Sequence, residues 1–318
     1  MQSWFGRLVG FEESVGPDEV RRRLRVEDGA LASDYTPRRP LIGNTEVPSL
    51  AELRRRAAGG GAARTSTVRS VRGEARALHA DPAFAGALFQ VASQFNLLEM
   101  PSPGVTPDEG VTGYEHDHTQ GPACALAVGA ATIYRNYLLP VAGQPGQTRD
   151  RQVDTIADLG AALAEATGLP VARLWDWRNG YVLCTAEGLA AISSHLATLG
   201  EAGLDRLRSL LRIGVVTSAE TTDPGAGHLV SQAYCSALPV AYSAHPRHPG
   251  WPPLARLVLE ATYEATLLAA RANPDSDTVL LTRVGGGVFG NEPAWIEAAI
   301  ERALRLVPGL DVVLVRRG

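Results

Sequence analysis

The chain has 318 residues, 45% hydrophobic and only 20% charged, with a formal net charge of -4, so it can bury one large core or two modest ones as an ordinary globular protein. Its runs of like charge do not exceed the arginine triplets at 21–23 and 54–56, which suit a solvated helix face better than a polyanion, and nucleic acid is not expected as a partner. All 30 basic residues are arginine, which excludes a Schiff-base lysine and the lysine of an ordinary P-loop.

At the N-terminus, "MQSWFGRLVGFEESVG" holds too short an apolar run for a signal peptide. No stretch approaches the roughly 18 unbroken apolar residues of a membrane span. A cytosolic protein without membrane association is expected. Residues 1–64 read as a helical N-terminal extension: "GPDEVRRRLRV" and "SLAELRRRAAGGG" are helix-like, the second capped by Ser49 and closed by the glycine run 59–61.

From residue 65 the character changes, and 65–318 reads as one domain. "TSTVRSVRGEARALH" alternates as a strand should, and "GALFQVASQFNLLEM" (86–100) is a buried strand opening into a loop. "PACALAVGAATIYRNYLL" (122–139) is apolar on all sides and predicts an interior helix started by Pro122. Residues 140–210 read as a helical insertion, with "VDTIADLGAALAEATG" and "GLDRLRSLLR" as helices. Strands follow in "IGVVTSAETTD" and "HLVSQAYCSALPVAYS", then an amphipathic helix at 252–273, a strand at 278–284, a helix at 293–305 and a strand at 311–315. Alternating strands and helices of these lengths imply an α/β fold with a largely parallel or mixed sheet covered on both faces, a three-layer α/β/α arrangement.

In such a sheet ligands bind where strands run out toward helix N-termini, because unpaired amides and the helix dipole point at that edge. "GGGVFGN", residues 285–291, has that placement. Gly285, Gly286 and Gly287 let an anion approach the backbone, and Pro293 opens the next helix. Gly285-x-Gly287-x-x-Gly290 also satisfies the dinucleotide fingerprint literally. Fewer than thirty residues remain after Gly290, however, too few for the second crossover of a Rossmann half.

The order "VRSVRGEARALH", "ALFQVASQFNLLEM", an acidic glycine-containing loop, "QGPACALAVGAATIYRNYL" and "ATYEATLLAARANPDSDTVLLTRVGGGVFGNEPAWIEAAIERAL" resembles a macrodomain, the ADP-ribose-binding fold, over about 65–139 and 228–316. The insertion-bearing layout is similar to divergent macrodomain hydrolases related to the Legionella effector MavL and, more distantly, to poly(ADP-ribose) glycohydrolases. The resemblance implies an adenine contact at Gly73 and Glu74, with Glu in place of the family's usual Asp. It implies a ribose contact at Asn96 and a helix-opening loop at Gln120 and Gly121, where the family has a triple glycine. It implies a diphosphate loop formed by Gly285, Gly286, Gly287, Val288, Phe289, Gly290 and Asn291, with Phe289 packing on the ribose.

Cutting a glycosidic bond at that ribose passes through an oxocarbenium-like transition state, which calls for a carboxylate near the anomeric carbon. Acids abound after Asn96: Glu99, Asp108, Glu109, Glu115 and Asp117. Acids beside a pyrophosphate repel it, so a pure binding module has little use for them. Asp117 and Glu99 are the leading catalytic candidates, with Glu220 of "TSAETTD" third. Solubility alone also makes surface loops acidic.

His116 and His118 in "HDH" could face one way on an extended loop, but two ligands make no zinc site and the other histidines show no matching spacing. No metal or other cofactor is expected, although acids could hold Mg²⁺. There is no G-x-S-x-G elbow, and Cys124, Cys184 and Cys235 sit in apolar text as reduced packing residues. The expected activity is removal of ADP-ribose from modified protein side chains, arginine-linked or on ubiquitin if the likeness extends to substrate. The alternative is a non-catalytic reader of ADP-ribose or a related nucleotide.

Overall fold

Among the residues described by the computed structural model, 2–58 and 65–316, seven strands build one sheet: β1 (Asn44–Glu46), β2 (Thr67–Arg72), β3 (Leu88–Ala92), β4 (Gly214–Glu220), β5 (Leu229–Cys235), β6 (Thr278–Leu281) and β7 (Asp311–Arg316). Their order is β1-β4-β5-β3-β6-β7-β2. Strands β5, β3, β6, β7 and β2 pair in parallel, and β4 runs antiparallel to both neighbours, so the sheet is mixed.

Side chains alternate across these strands and sort the core onto two faces. Leu88, Val279, Leu281 and Val312 enter one apolar cluster with α4 (Trp251–Arg271) and α5 (Pro293–Leu306). Phe89, Val91, Leu280 and Val313 enter another, which includes Leu78 of α1 (Ala75–Ala80), Cys124 of α2 (Gln120–Ala127) and Ala131 of α3 (Gly129–Tyr137). Helices therefore cover both faces in three layers.

The extension contributes more than helices. Helices Pro17–Arg23 and Leu50–Ala57 form, the latter with the Ser49–Glu52 capping box, but Asn44–Glu46 also supplies the edge strand β1. The glycine run 59–61 lies outside the described residues. The helix Trp4–Val9 wedges Trp4, Phe5 and Leu8 against α2 and α3. One departure from expectation is that 122–139 forms two helices, broken at Val128 (φ -121, ψ 56), where Thr222 donates to Ala127 O and accepts the Gly129 amide, both at 2.9 Å, and the first helix starts at Gln120 rather than Pro122. At the break a Cβ on Gly129 would meet Leu8 at 2.6 Å. Strand β6 also ends early, at Leu281, because the amides of Thr282 and Val284 turn to Gln90 Oε1 and Tyr263 Oη at 3.2 and 3.1 Å. The insertion carries helices Ala157–Thr167, Ala186–Ala197 and Glu201–Leu210, together with an unexpected hairpin, Trp175–Arg178 with Tyr181–Cys184. No helix of the described residues is long and apolar enough to cross a membrane.

Candidate active site

The parallel strands share a C-terminal edge, and the chain leaves that edge in two directions. After β3 it passes to α2 on one face; after β6 it passes to α5 on the other. Neighbouring connections that diverge in this way open a crevice between them. A cavity of about 810 Å³ lies there, lined by residues at the ends of all five parallel strands: Gly73 and Glu74, Ala92 to Gln94, Ala237, Leu281 to Arg283, and Leu314 to Arg316.

Of the expected ligand residues, the lining includes Glu74, Gln120, Gly121, Gly285, Gly286, Gly287, Val288 and Phe289. The glycine loop thus stands across the cavity from the segment that follows β3. Gly285 has φ +78, and a Cβ there would lie 2.4 Å from Ala237 Cβ, so both conformation and space require glycine. At Gly287 nothing stands within 4 Å of the position of a Cβ. The Gly286 amide donates to Arg283 O, whereas the amides of Gly287, Val288 and Phe289 meet no acceptor among the described residues. This cluster of unengaged N–H groups suits an anion.

Other expectations are corrected. Asn96 does not line the cavity: fully buried, it accepts the Leu98 amide at 3.1 Å and donates to Gln152 at 2.8 Å, building the turn after β3. Gly290 and Asn291 also lie behind the lining. Asn291 closes the loop by donating to Leu238 O at 2.8 Å, and Gly290 packs on Ala241. Glu220 sits at the end of β4, where it accepts the Leu41 amide at 3.1 Å, away from the cavity. Gln120 is on the lining, but its amide is engaged with Ala92 N and Gln90 O at 2.8 and 3.0 Å. It joins the start of α2 to the end of β3.

Two acids of the β3–α2 connection line the cavity, Glu99 and Asp117. Asp117 is half-buried and accepts the Thr119 amide at 2.8 Å, which fixes the entry to α2. Glu99 is 2% exposed. Its Oε1 lies 3.1 Å from Arg135 Nη1, while its Oε2 has no partner among the described residues. Burial pushes the Glu99 pKa up to about 7, against the opposing pull of Arg135. A carboxylate tuned to neutrality with one oxygen unengaged has the properties of a general base. The backbone before it is constrained: Leu97 is buried with φ +65, a conformation that bulky residues avoid.

Residues outside the expected set complete the lining. Tyr181 and Tyr242 join the expected Phe289 in an aromatic triangle with centroids 5.4 to 5.6 Å apart. Tyr181 is placed by the hairpin, whose turn is Asn179-Gly180, both at positive φ; Phe95 N donates to Gly180 O and ties it to the β3 connection. The text "WRNGYV" carries this signal, since Asn-Gly between alternating apolar residues is a strong hairpin marker. Nothing comparable marks Tyr242. Gln94 also lines the cavity and accepts the Met100 amide at 2.7 Å. Arg283 and Arg316 are the cations of the lining, Arg283 being paired with Glu297 at 3.0 Å.

His116 is largely exposed, and among the described residues no three His, Cys, Asp or Glu side chains gather as a metal set. Cys124, Cys184 and Cys235 are buried and unpaired, as packing residues are.

No family model and no curated protein matches the sequence. Among solved structures, the chain is similar to poly(ADP-ribose) glycohydrolase from Thermomonospora curvata, at 15% identity over 94% of this chain and 89% of that one with a TM-score of 0.46. It is similar to the same enzyme bound to the inhibitor ADP-HPD, at 15% identity, 94% and 89% coverage and TM-score 0.44. A third is poly(ADP-ribose) glycohydrolase from Deinococcus radiodurans in complex with ADP-ribose, at 14% identity, 86% and 87% coverage and TM-score 0.41.

Proposed function

We propose that the chain is an ADP-ribosyl glycohydrolase that releases ADP-ribose from modified protein side chains. The observation that carries this reading is Glu99, a buried carboxylate with one unengaged oxygen on a cavity whose opposite wall is a loop of free amides. The amides of Gly287, Val288 and Phe289 take the pyrophosphate, and Glu74 marks the adenine end. Ionised Glu99 takes a proton from water as the water oxygen bonds to the anomeric carbon. The bond from that carbon to the acceptor breaks, its electron pair goes to the acceptor, the acceptor takes a proton from solvent, and Glu99 returns its proton to solvent. Asp117, the other carboxylate that the β3–α2 connection brings to the cavity, steadies the charge that develops on the ribose.

The finer reading is an arginine-linked acceptor, on ubiquitin among other proteins. The triangle of Tyr181, Tyr242 and Phe289 supports it, because aromatic faces stack on a guanidinium. A non-catalytic reader of ADP-ribose would use the same loop but has no need of a base tuned to neutrality. Calorimetric titration with ADP-ribose, NAD and AMP, paired with release of free ADP-ribose from proteins modified on arginine, serine or glutamate, tests both. ADP-ribose binding with release is expected. Binding without release from any of the three would establish the reader, and no binding would refute both.

A further inference from the structure

We propose that Arg135, on α3 and remote from the chain segment that carries Glu99, is the positioning residue that holds Glu99 in its reactive ionised form and decides which of its oxygens meets the water. The inference rests on the reading of Glu99 as the base.

Arg135 is fully buried and its guanidinium is fixed on several sides. Nη1 donates to Leu97 O and to Glu99 Oε1, and Nη2 donates to Thr132 Oγ1 at 3.0 Å. Thr132 Oγ1 is itself locked by donating to Ala125 O at 2.7 Å. The guanidinium carbon sits 3.7 Å from the centroid of the Tyr234 ring, and Tyr234 Oη donates to Gln232 Oε1. One cation thus grips both the carbonyl of Leu97, the residue at positive φ, and the carboxylate two positions later. By occupying Oε1 it leaves Oε2 as the buried oxygen without a partner among the described residues.

The other titratable groups facing Glu99 are Tyr114, whose Oη accepts the Glu99 amide, Cys124 on α2 and Tyr234 on β5. Burial pushes all three far up, so they are neutral where Glu99 titrates. Arg135 is therefore the one cation of this set. An arginine suits the task because it cannot shed its proton and its planar fork serves two acceptors at once.

The test compares the wild type, Arg135→Met, Arg135→Lys and Glu99→Gln in kcat/KM from pH 5.5 to 9.5, with ADP-ribose affinity measured alongside. Without the cation, burial alone governs Glu99, and the ascending limb of the Arg135→Met profile moves upward by one pH unit or more, so that activity at pH 7 falls at least ~5-fold and recovers toward pH 9. ADP-ribose affinity stays within ~3-fold, because Arg135 does not line the cavity. Arg135→Lys, which keeps a charge but not the fork, moves the limb in the same direction by less, and serves where the Met variant does not fold. A limb that stays in place in whichever of these variants folds, while Glu99→Gln is inactive, overturns the inference and leaves the base assignment standing. A Glu99→Gln variant as active as wild type overturns both.

Discussion

A Cβ on Gly121 would lie 2.3 Å from the carbonyl oxygen of Ala92 and 3.2 Å from Glu99 Cγ. The start of α2 therefore rests directly on the end of β3, and glycine is what lets the helix begin beside the buried acid. Gly121→Ala is expected to cost at least ~3 kcal/mol, since the obstructing atom is backbone and cannot swing aside. Gly287→Ala has open space and no positive φ, so its folding stability should stay within ~0.5 kcal/mol of wild type while ADP-ribose binding weakens. Thermal melts and calorimetry on both variants separate the structural glycine from the ligand-facing one.

Glu99, as the proposed base, must be ionised to act, and burial places its pKa at about 7. Its working form is present above that value, so kcat/KM should rise with pH through a limb near 7 and level off above it. A profile that is flat from pH 5.5 to 8 would remove Glu99 from the chemistry.

Phe289 belongs to the loop that carries the free amides and also touches Tyr181 and Tyr242. Phe289→Ala removes a ring worth about 1 kcal/mol or more in stacking, so ADP-ribose affinity should fall at least ~5-fold. Unchanged affinity would mean that the triangle faces the acceptor protein alone.

His79 predicts an acid limit to folding. It is fully buried and stacked on Phe89 at 3.7 Å; Nδ1 donates to Ala75 O, and Nε2 accepts from Gln232 Nε2 at 2.9 Å. Burial lowers its pKa to about 4 from an ordinary 6.5. The unfolded chain takes up this proton first, so the stability tied to neutral His79 is complete above pH 6.5 and is lost as pH falls toward 4, by up to ~3 kcal/mol. Glu99, raised in the folded state, acts in the opposite sense between 4.5 and 7. Urea denaturation from pH 7.5 to 4.5 on wild type and His79→Gln isolates the histidine: the variant should show the shallower acid loss, and equal slopes would contradict the assignment.

The strands β3, β6 and β7 were legible because burial on both faces of a sheet leaves near-continuous apolar runs, and α4 because one buried helix face leaves apolar residues at spacings of three and four. The glycine loop was legible for a similar reason, since few conformations need so many bare backbones in a row. Asn96 misled because a side chain that closes its own turn and one that faces a ligand occupy the same kind of position in sequence. Glu220 misled because the sequence does not show that β1 would claim its edge of the sheet. Arg135 and Tyr234 were illegible for a different reason: their pairing with Glu99 and with each other joins segments 36 and 99 residues apart, and nothing local marks it. Tyr181 was readable from Asn179-Gly180, and treating 140–210 as helical hid it.

The most direct test of the central claim compares wild type with Glu99→Gln in release of free ADP-ribose from an arginine-modified protein at pH 8, while ADP-ribose affinity is measured by calorimetry on the same preparations. Loss of a general base should slow release by at least ~100-fold with affinity held within ~3-fold. Equal release by the two proteins, or an absence of ADP-ribose binding in both, would contradict the account.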